Sequence, residues 1–162
     1  MKKMQMNKKQ KLFMQKAIDL SLESVKHEGG PFGAVIVKDG EIVAAESNHV
    51  TQNNDPTAHA EVCTIRAASK KLGTFDLAGC EIYTSCEPCP MCLGAIYWAH
   101  IDKVYYANTR EDARNVGFDD DLIYKEIASD MDDRKIPFEQ ISRNEALEAF
   151  QEWERLENKI DY

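Results

Sequence analysis

A chain of 162 residues, 43% of them hydrophobic, is one ordinary globular domain with enough apolar material for a real core. Its formal net charge of −8, with acidic runs at Asp119-Asp120-Asp121 and Asp130 to Asp133, argues against a polynucleotide partner, which calls for a basic face. The longest uncharged stretch, Pro88 to Ile101, is too short to span a bilayer, and the Lys- and Gln-rich N-terminus lacks the apolar core of a secretory signal.

Along the chain, Lys8 to His27 is predicted as an amphipathic helix, with Leu12, Phe13, Ala17, Leu20 and Val25 near helical spacing and Gly29-Gly30-Pro31 as its stop. Ala34 to Val37 and Glu41 to Ala45 read as strands of a hairpin turning at Asp39-Gly40. Asn48 to Pro56 reads as a polar loop, after which Asp55 or Thr57 caps a helix from Ala58 to Lys71. Glu81 to Thr84 is a short strand, Pro90 to His100 a helix with proline in its first turn, and Lys103 to Ala107 another strand. Thr109 to Asp121 reads as a loop, Leu122 to Ala128 as a short helix and Phe138 to Ile141 as a last strand. Ser142-Arg143-Asn144-Glu145 has the capping-box pattern that opens a helix to about Asn158. This alternation predicts an α/β sheet covered by helices, in a single domain spanning 1–162.

The five cysteines are Cys63, Cys80, Cys86, Cys89 and Cys92. An odd number with three clustered points to free thiols and metal ligands in a reducing cytoplasm, not to a disulfide framework. His59-Ala60-Glu61 and Pro88-Cys89-Pro90-Met91-Cys92 together supply one imidazole and two thiolates. Three ligands leave a tetrahedral zinc open at its fourth position, where water binds and is activated. Glu61, two residues from His59, is placed to accept that water's proton and pass it on. The backbone amides near Ala60 and Cys89 lie at helix starts and steady developing negative charge. A closed structural site with Cys86 as fourth ligand is the rival reading. It places a ligand in an extended stretch before Glu87-Pro88 and leaves Glu61 without a task.

The pairing of His-x-Glu with Pro-Cys-x-x-Cys resembles the signature of the zinc nucleobase deaminases. More specifically, Thr84 to Ala99, Gly30 to Val37, Asn54 to Glu61, and Gly117 to Asp120 with Ile123 to Ile127 are similar to bacterial guanine deaminases. The resemblance implies a cytidine deaminase-like three-layer α/β/α sandwich with a mixed sheet of about five strands. It implies Zn2+ on His59, Cys89 and Cys92, with Glu61 as proton shuttle, and conversion of guanine to xanthine and ammonia. Asn48 would then hydrogen-bond the purine, Ala60 would line it, and Phe32, Trp98 and Phe118 would wall it. Asp120 would read the guanine edge and assist with protons. That agrees with chemistry, because guanine offers N–H donors there and a carboxylate only accepts. Asp119 or Asp121 could hold that place instead. The resemblance further implies a homodimer in which the C-terminal helix and tail, 142–162 with Tyr162, close over the site, by exchange between subunits in one version. A tRNA adenosine deaminase shares Asp55 to Glu61 and is the alternative, with cytosine or another ring amine as a third substrate class. A silent zinc module for partner binding is a reading from a different class. Membrane attachment and nucleic-acid binding are not expected.

Overall fold

Helix α1 (Lys8–Lys26) starts at Asn7, whose side chain accepts from Gln10 N while Gln10 Oε1 accepts from Asn7 N, both at 2.9 Å. This reciprocal cap satisfies two amides that would otherwise be orphaned. The computed structural model describes residues 7–162, so the Lys- and Gln-rich opening before Asn7 lies outside the described residues. The buried stripe of α1 is Met14, Ala17, Ser21 and Ser24, whereas Leu12 and Val25 are exposed. Of the predicted apolar face, Phe13, Ala17 and Leu20 pack on the sheet, while Leu12 and Val25 lie outside the buried stripe.

Strands β1 (Gly33–Lys38) and β2 (Glu41–Ser47) form the predicted hairpin. Asp39 (φ 52°) and Gly40 (φ 76°) both take the left-handed conformation that a tight two-residue turn demands. Ile36 pairs with Ala44 but Val37 with Ile42, so Val43 is an extra residue in β2 and marks a bulge. The predicted loop after β2 contains one helical turn, α2 (Val50–Asn53). Helix α3 (Ala60–Leu72) is capped at His59 with no side-chain bond, not at Asp55 or Thr57. Asp55 instead ties its own turn, accepting from Thr57 N at 2.8 Å. Gly73, at φ 68°, ends α3 in the left-handed conformation.

Strand β3 (Cys80–Cys86), helix α4 (Pro90–Trp98) and strand β4 (Lys103–Asn108) form a β-α-β unit. β3 runs antiparallel to β1 and parallel to β4, giving a mixed sheet in the order β2-β1-β3-β4. Among the described residues the sheet has four strands rather than about five. Phe138–Ile141 is irregular, and Pro137 before it withholds a backbone donor. Val35, Val37 and Tyr83 pack with Met14 and Ala17 of α1. Ala34, Ile36 and Ile82 pack with Ala60 and Ala68 of α3 and Ile96 of α4. Because strand side chains alternate, these two clusters take opposite sides of the sheet.

The stretch predicted as a loop after β4 holds α5 (Arg110–Asn115), opened by a Thr109–Asp112 capping box. The chain divides into two units, the first ending at Asp120 and the second running from Asp121 to Tyr162. The second contains α6 (Asp121–Ala128), a 3₁₀ turn at Met131–Asp133 and α7 (Arg143–Arg155). The capping box predicted at Ser142 does not form. Ser142 adopts φ 51°, its side chain caps nothing, and α7 ends at Arg155. Among the described residues, no helix is long and apolar enough to cross a membrane.

Candidate active site

Two helix starts face each other. His59 (φ −67°, ψ 154°) and Cys89 (φ −66°, ψ 168°) are the extended residues just before α3 and α4, and neither spends its side chain on capping. Cys92 follows Cys89 by three residues, so one turn of α4 puts both sulfurs on one face. His59 Nδ1 is 3.5 Å from Cys89 Sγ and 3.5 Å from Cys92 Sγ. The ligand atoms of the three residues all lie within 4.8 Å of one another. One imidazole nitrogen and two soft sulfurs, with no fourth side chain in the group, is the donor set of a tetrahedral zinc with an open position. Cys86 stands apart, its thiol donating to Thr109 O at 3.6 Å.

The electrostatics of the cluster fit a cation. The Cys89 thiol is pulled down to about 4 by a hydrogen bond from Cys92, with a further contribution from His59. Cys92 is pushed up by its bond to Cys89 and by burial, and His59 is raised by its bond with Cys89. Without a cation, the protons held on His59 and Cys92 offset the charge of the Cys89 thiolate. A metal ion at their meeting point favours both thiolates and the neutral imidazole together. Cys86, by contrast, is pushed up to about 11 by burial, the state of an inert thiol.

Glu61 occupies the first turn of α3 and is only 5% exposed. Its Oε1 accepts from the Thr84 hydroxyl at 2.9 Å, and its Oε2 accepts from Cys92 Sγ at 3.3 Å. Burial raises its carboxyl above the ordinary range, which suits a group that must take and release protons. Ala60, fully buried beside it, opens α3, where amides lack helical partners.

The residues expected to read a substrate differ in how firmly they are held. Asn48 is buried, its backbone N–H donating to Phe32 O at 3.0 Å and its Oδ1 accepting from Val50 N at 3.2 Å. Its visible bonds hold the loop, and its amide N–H groups are the donors it has to offer a base. Phe32 meets Phe118 edge to face, with ring centroids 4.9 Å apart. Asp120 is half-buried, and Asp119 is exposed. Trp98 is 66% exposed at the last turn of α4. It follows Cys92 by about 9 Å of helical rise at 1.5 Å per residue. Tyr162 belongs to the second unit and is exposed.

Residues 7–108 match the cytidine and deoxycytidylate deaminase zinc-binding region. The chain belongs to this family. It is 55% identical to the guanine deaminase of Bacillus subtilis over 151 residues, 93% of this chain and 97% of that one. The X-ray structure of guanine deaminase from Bacillus subtilis superposes with a TM-score of 0.91 at 54% identity, covering 97% of this chain and 99% of that one. A guanine deaminase structure from Nitrosomonas europaea aligns with a TM-score of 0.66 at 31% identity, over 74% of this chain and 68% of that one. The tRNA-specific adenosine deaminase of Aquifex aeolicus is 47% identical over 77 residues, 48% of this chain and 51% of that one.

Three residues at this deaminase-family site escape a reading of the motif alone. Thr84 bonds Glu61, Ser85 accepts from Gly33 N at 3.0 Å, and Glu87 accepts from Arg110 N at 3.1 Å at the start of α5. A signal for Thr84 exists in the sequence: it is in phase with Ile82 on a buried strand face, where a hydroxyl needs a partner.

Proposed function

We propose that this protein hydrolyses guanine to xanthine and ammonia, using zinc held by His59, Cys89 and Cys92. The observation that carries the hydrolytic part is the buried Glu61 carboxylate, 3.3 Å from a ligand sulfur beside an open three-donor group. Zinc bound there supplies the Lewis acidity that makes water a nucleophile near neutral pH. Glu61 accepts the proton released from that water, hands it to a ring nitrogen, and delivers a second proton to the departing amine. Guanine and one water become xanthine and one ammonia, with the C2 amine replaced by a carbonyl.

The choice of guanine is supported by the near full-length similarity, which continues past residue 108 into the segment with Phe118 and Asp120. In this reading Phe32 and Phe118 wall the flat base and Ala60 lies against it. Asn48 offers donors, and the Asp120 carboxylate accepts from N1–H and the exocyclic amine. A site built for those donors rejects bases that lack them. Incubation of the zinc-loaded protein with guanine should produce xanthine. Conversion of adenine or cytosine with guanine untouched would overturn the assignment, and a salt-sensitive gel shift with tRNA would revive the RNA-editing alternative.

We place the enzyme in purine metabolism in a reducing cytoplasm, a setting supported by its five free cysteines. The two core clusters support the three-layer α/β/α reading of the sheet. The second unit supports a homodimer: none of its residues is buried, and Ile136, Phe138, Ile141, Phe150 and Ile160 are exposed. A 42-residue segment with no buried residue lacks a core of its own and gains most from being covered by a second copy. In this reading residues 142–162, ending in Tyr162, close over the purine site, and Trp98 completes the wall in the assembled protein. Light scattering that returns a monomer at assay concentration would remove the dimer.

A further inference from the structure

We infer that Thr84 is a positioning residue for the proton-carrying carboxylate of Glu61, an inference that rests on the deaminase reading of the site. Thr84 lies on β3, flanked by Ala34 of β1 and Tyr106 of β4, and is 1% exposed. Its backbone is therefore fixed by neighbours on both sides. From that rigid position its hydroxyl oxygen is 2.9 Å from Glu61 Oε1 and 3.0 Å from Cys86 O. It shares its one hydrogen between them when Glu61 is ionised, and accepts from the carboxyl while donating to Cys86 O when Glu61 is protonated.

Glu61 has two side-chain contacts of different character. One is Cys92 Sγ at 3.3 Å, an atom that a bound metal also engages. The other is Thr84, which is outside the metal-binding group and is anchored in the sheet. A carboxylate on a short run of rotatable bonds has other rotamers to visit. Thr84 pins one oxygen to the sheet, so the second oxygen stays turned toward the sulfur ligands and the reacting water. An outer partner of this kind typically contributes roughly 10- to 100-fold in activity.

The test compares Thr84→Val, which keeps the shape and removes the hydroxyl, with Thr84→Ser, which keeps the hydroxyl. Zinc-loaded Thr84→Val is expected to lose about 10- to 100-fold in kcat on guanine, with KM and zinc content within about twofold of the unaltered protein. Thr84→Ser is expected to restore most of kcat. In a Glu61→Gln background, Thr84→Val should cost little more, because a residue acting through Glu61 has nothing left to position. A crystal structure of Thr84→Val should show the Glu61 carboxylate displaced. Unchanged kcat in Thr84→Val, equal losses in Thr84→Val and Thr84→Ser, a full extra loss in the Glu61→Gln background, or an unmoved carboxylate would each overturn the assignment. Should Thr84→Val not fold, Thr84→Ala against Thr84→Ser makes the same comparison. If the unaltered protein leaves guanine untouched, the guanine reading falls, while the Glu61 position in the Thr84 variant still decides this one.

Discussion

Glu61 and Phe118, the proposed proton carrier and the proposed wall of the base, are held in opposite ways. Glu61 is 5% exposed, sits in the first turn of a 13-residue helix, and is hydrogen-bonded at both carboxylate oxygens. Phe118 is 45% exposed, follows the six-residue α5, and meets Phe32 through one edge-to-face ring contact. The chemistry needs a carboxylate fixed to a fraction of an ångström, because misplacement costs rate steeply. Recognition of a flat base needs area and shape, which side chains on short segments provide. The difference teaches that the Glu61 corner belongs to the sheet and its helix starts, while Phe118 of the proposed base-reading rim is on a segment outside that frame.

Glu61→Gln is the sharpest way to break this comparison. It keeps the shape and removes the acid–base group, so kcat should fall at least about 100-fold with zinc content unchanged. Stability should move the other way. Burial raises the Glu61 carboxyl in the folded protein, so in metal-free protein its contribution is full below the ordinary carboxylate range. That contribution is lost as pH rises from the unfolded value through the raised folded one. Glu61→Gln removes this loss, so thermal melts of the two proteins should agree at low pH and diverge toward neutrality, with the variant higher. A variant that melts lower at neutral pH would mean that Glu61 is a structural tie, and the corner would not be specialised for proton transfer.

This division also governs what is legible in the sequence. His59, Glu61, Cys89 and Cys92 are legible because each pair has a short local spacing at a helix start, and the fold then brings the two starts together. Thr84 is legible only once its strand phase is tracked, since its role depends on a contact 23 residues away along the chain. α5 has the Thr109–Asp112 cap signature in plain view, but at six residues it is too short for apolar periodicity to mark it. Phe138–Ile141 has the composition of a strand, yet a strand needs a partner as well as a propensity, and the sheet ends at β4. Ser142 carries the right residue for a cap in the wrong backbone conformation, at φ 51°.

Phe118→Ala tests the rim with a middle-sized effect. Removing the ring deletes the proposed wall and its contact with Phe32, while neither hydrogen bond of Glu61 involves Phe118. KM for guanine should rise roughly tenfold, with kcat changed by less than about threefold. A kcat loss comparable with that of Glu61→Gln would show that the wall helps organise the chemistry, and the two regions would have to be treated as one device.

The smallest effect is expected at the tail. Tyr162 is 71% exposed, so any contact it makes with a bound base must first offset the cost of ordering the segment that carries it. Tyr162→Ala should therefore raise KM by only about two- to fivefold, because most of what the ring gains by burial is spent on holding the segment still. If the tail closes the site of a second copy, that penalty should depend on assembly: with the unaltered protein, diluting the dimer should raise KM toward the value for Tyr162→Ala. Titration calorimetry with a guanine analogue, run above and below the concentration where light scattering shows dissociation, reads both quantities. A tail effect larger than that of Phe118→Ala would place Tyr162 among the fixed walls, and the rim would then be built across two chains from the outset.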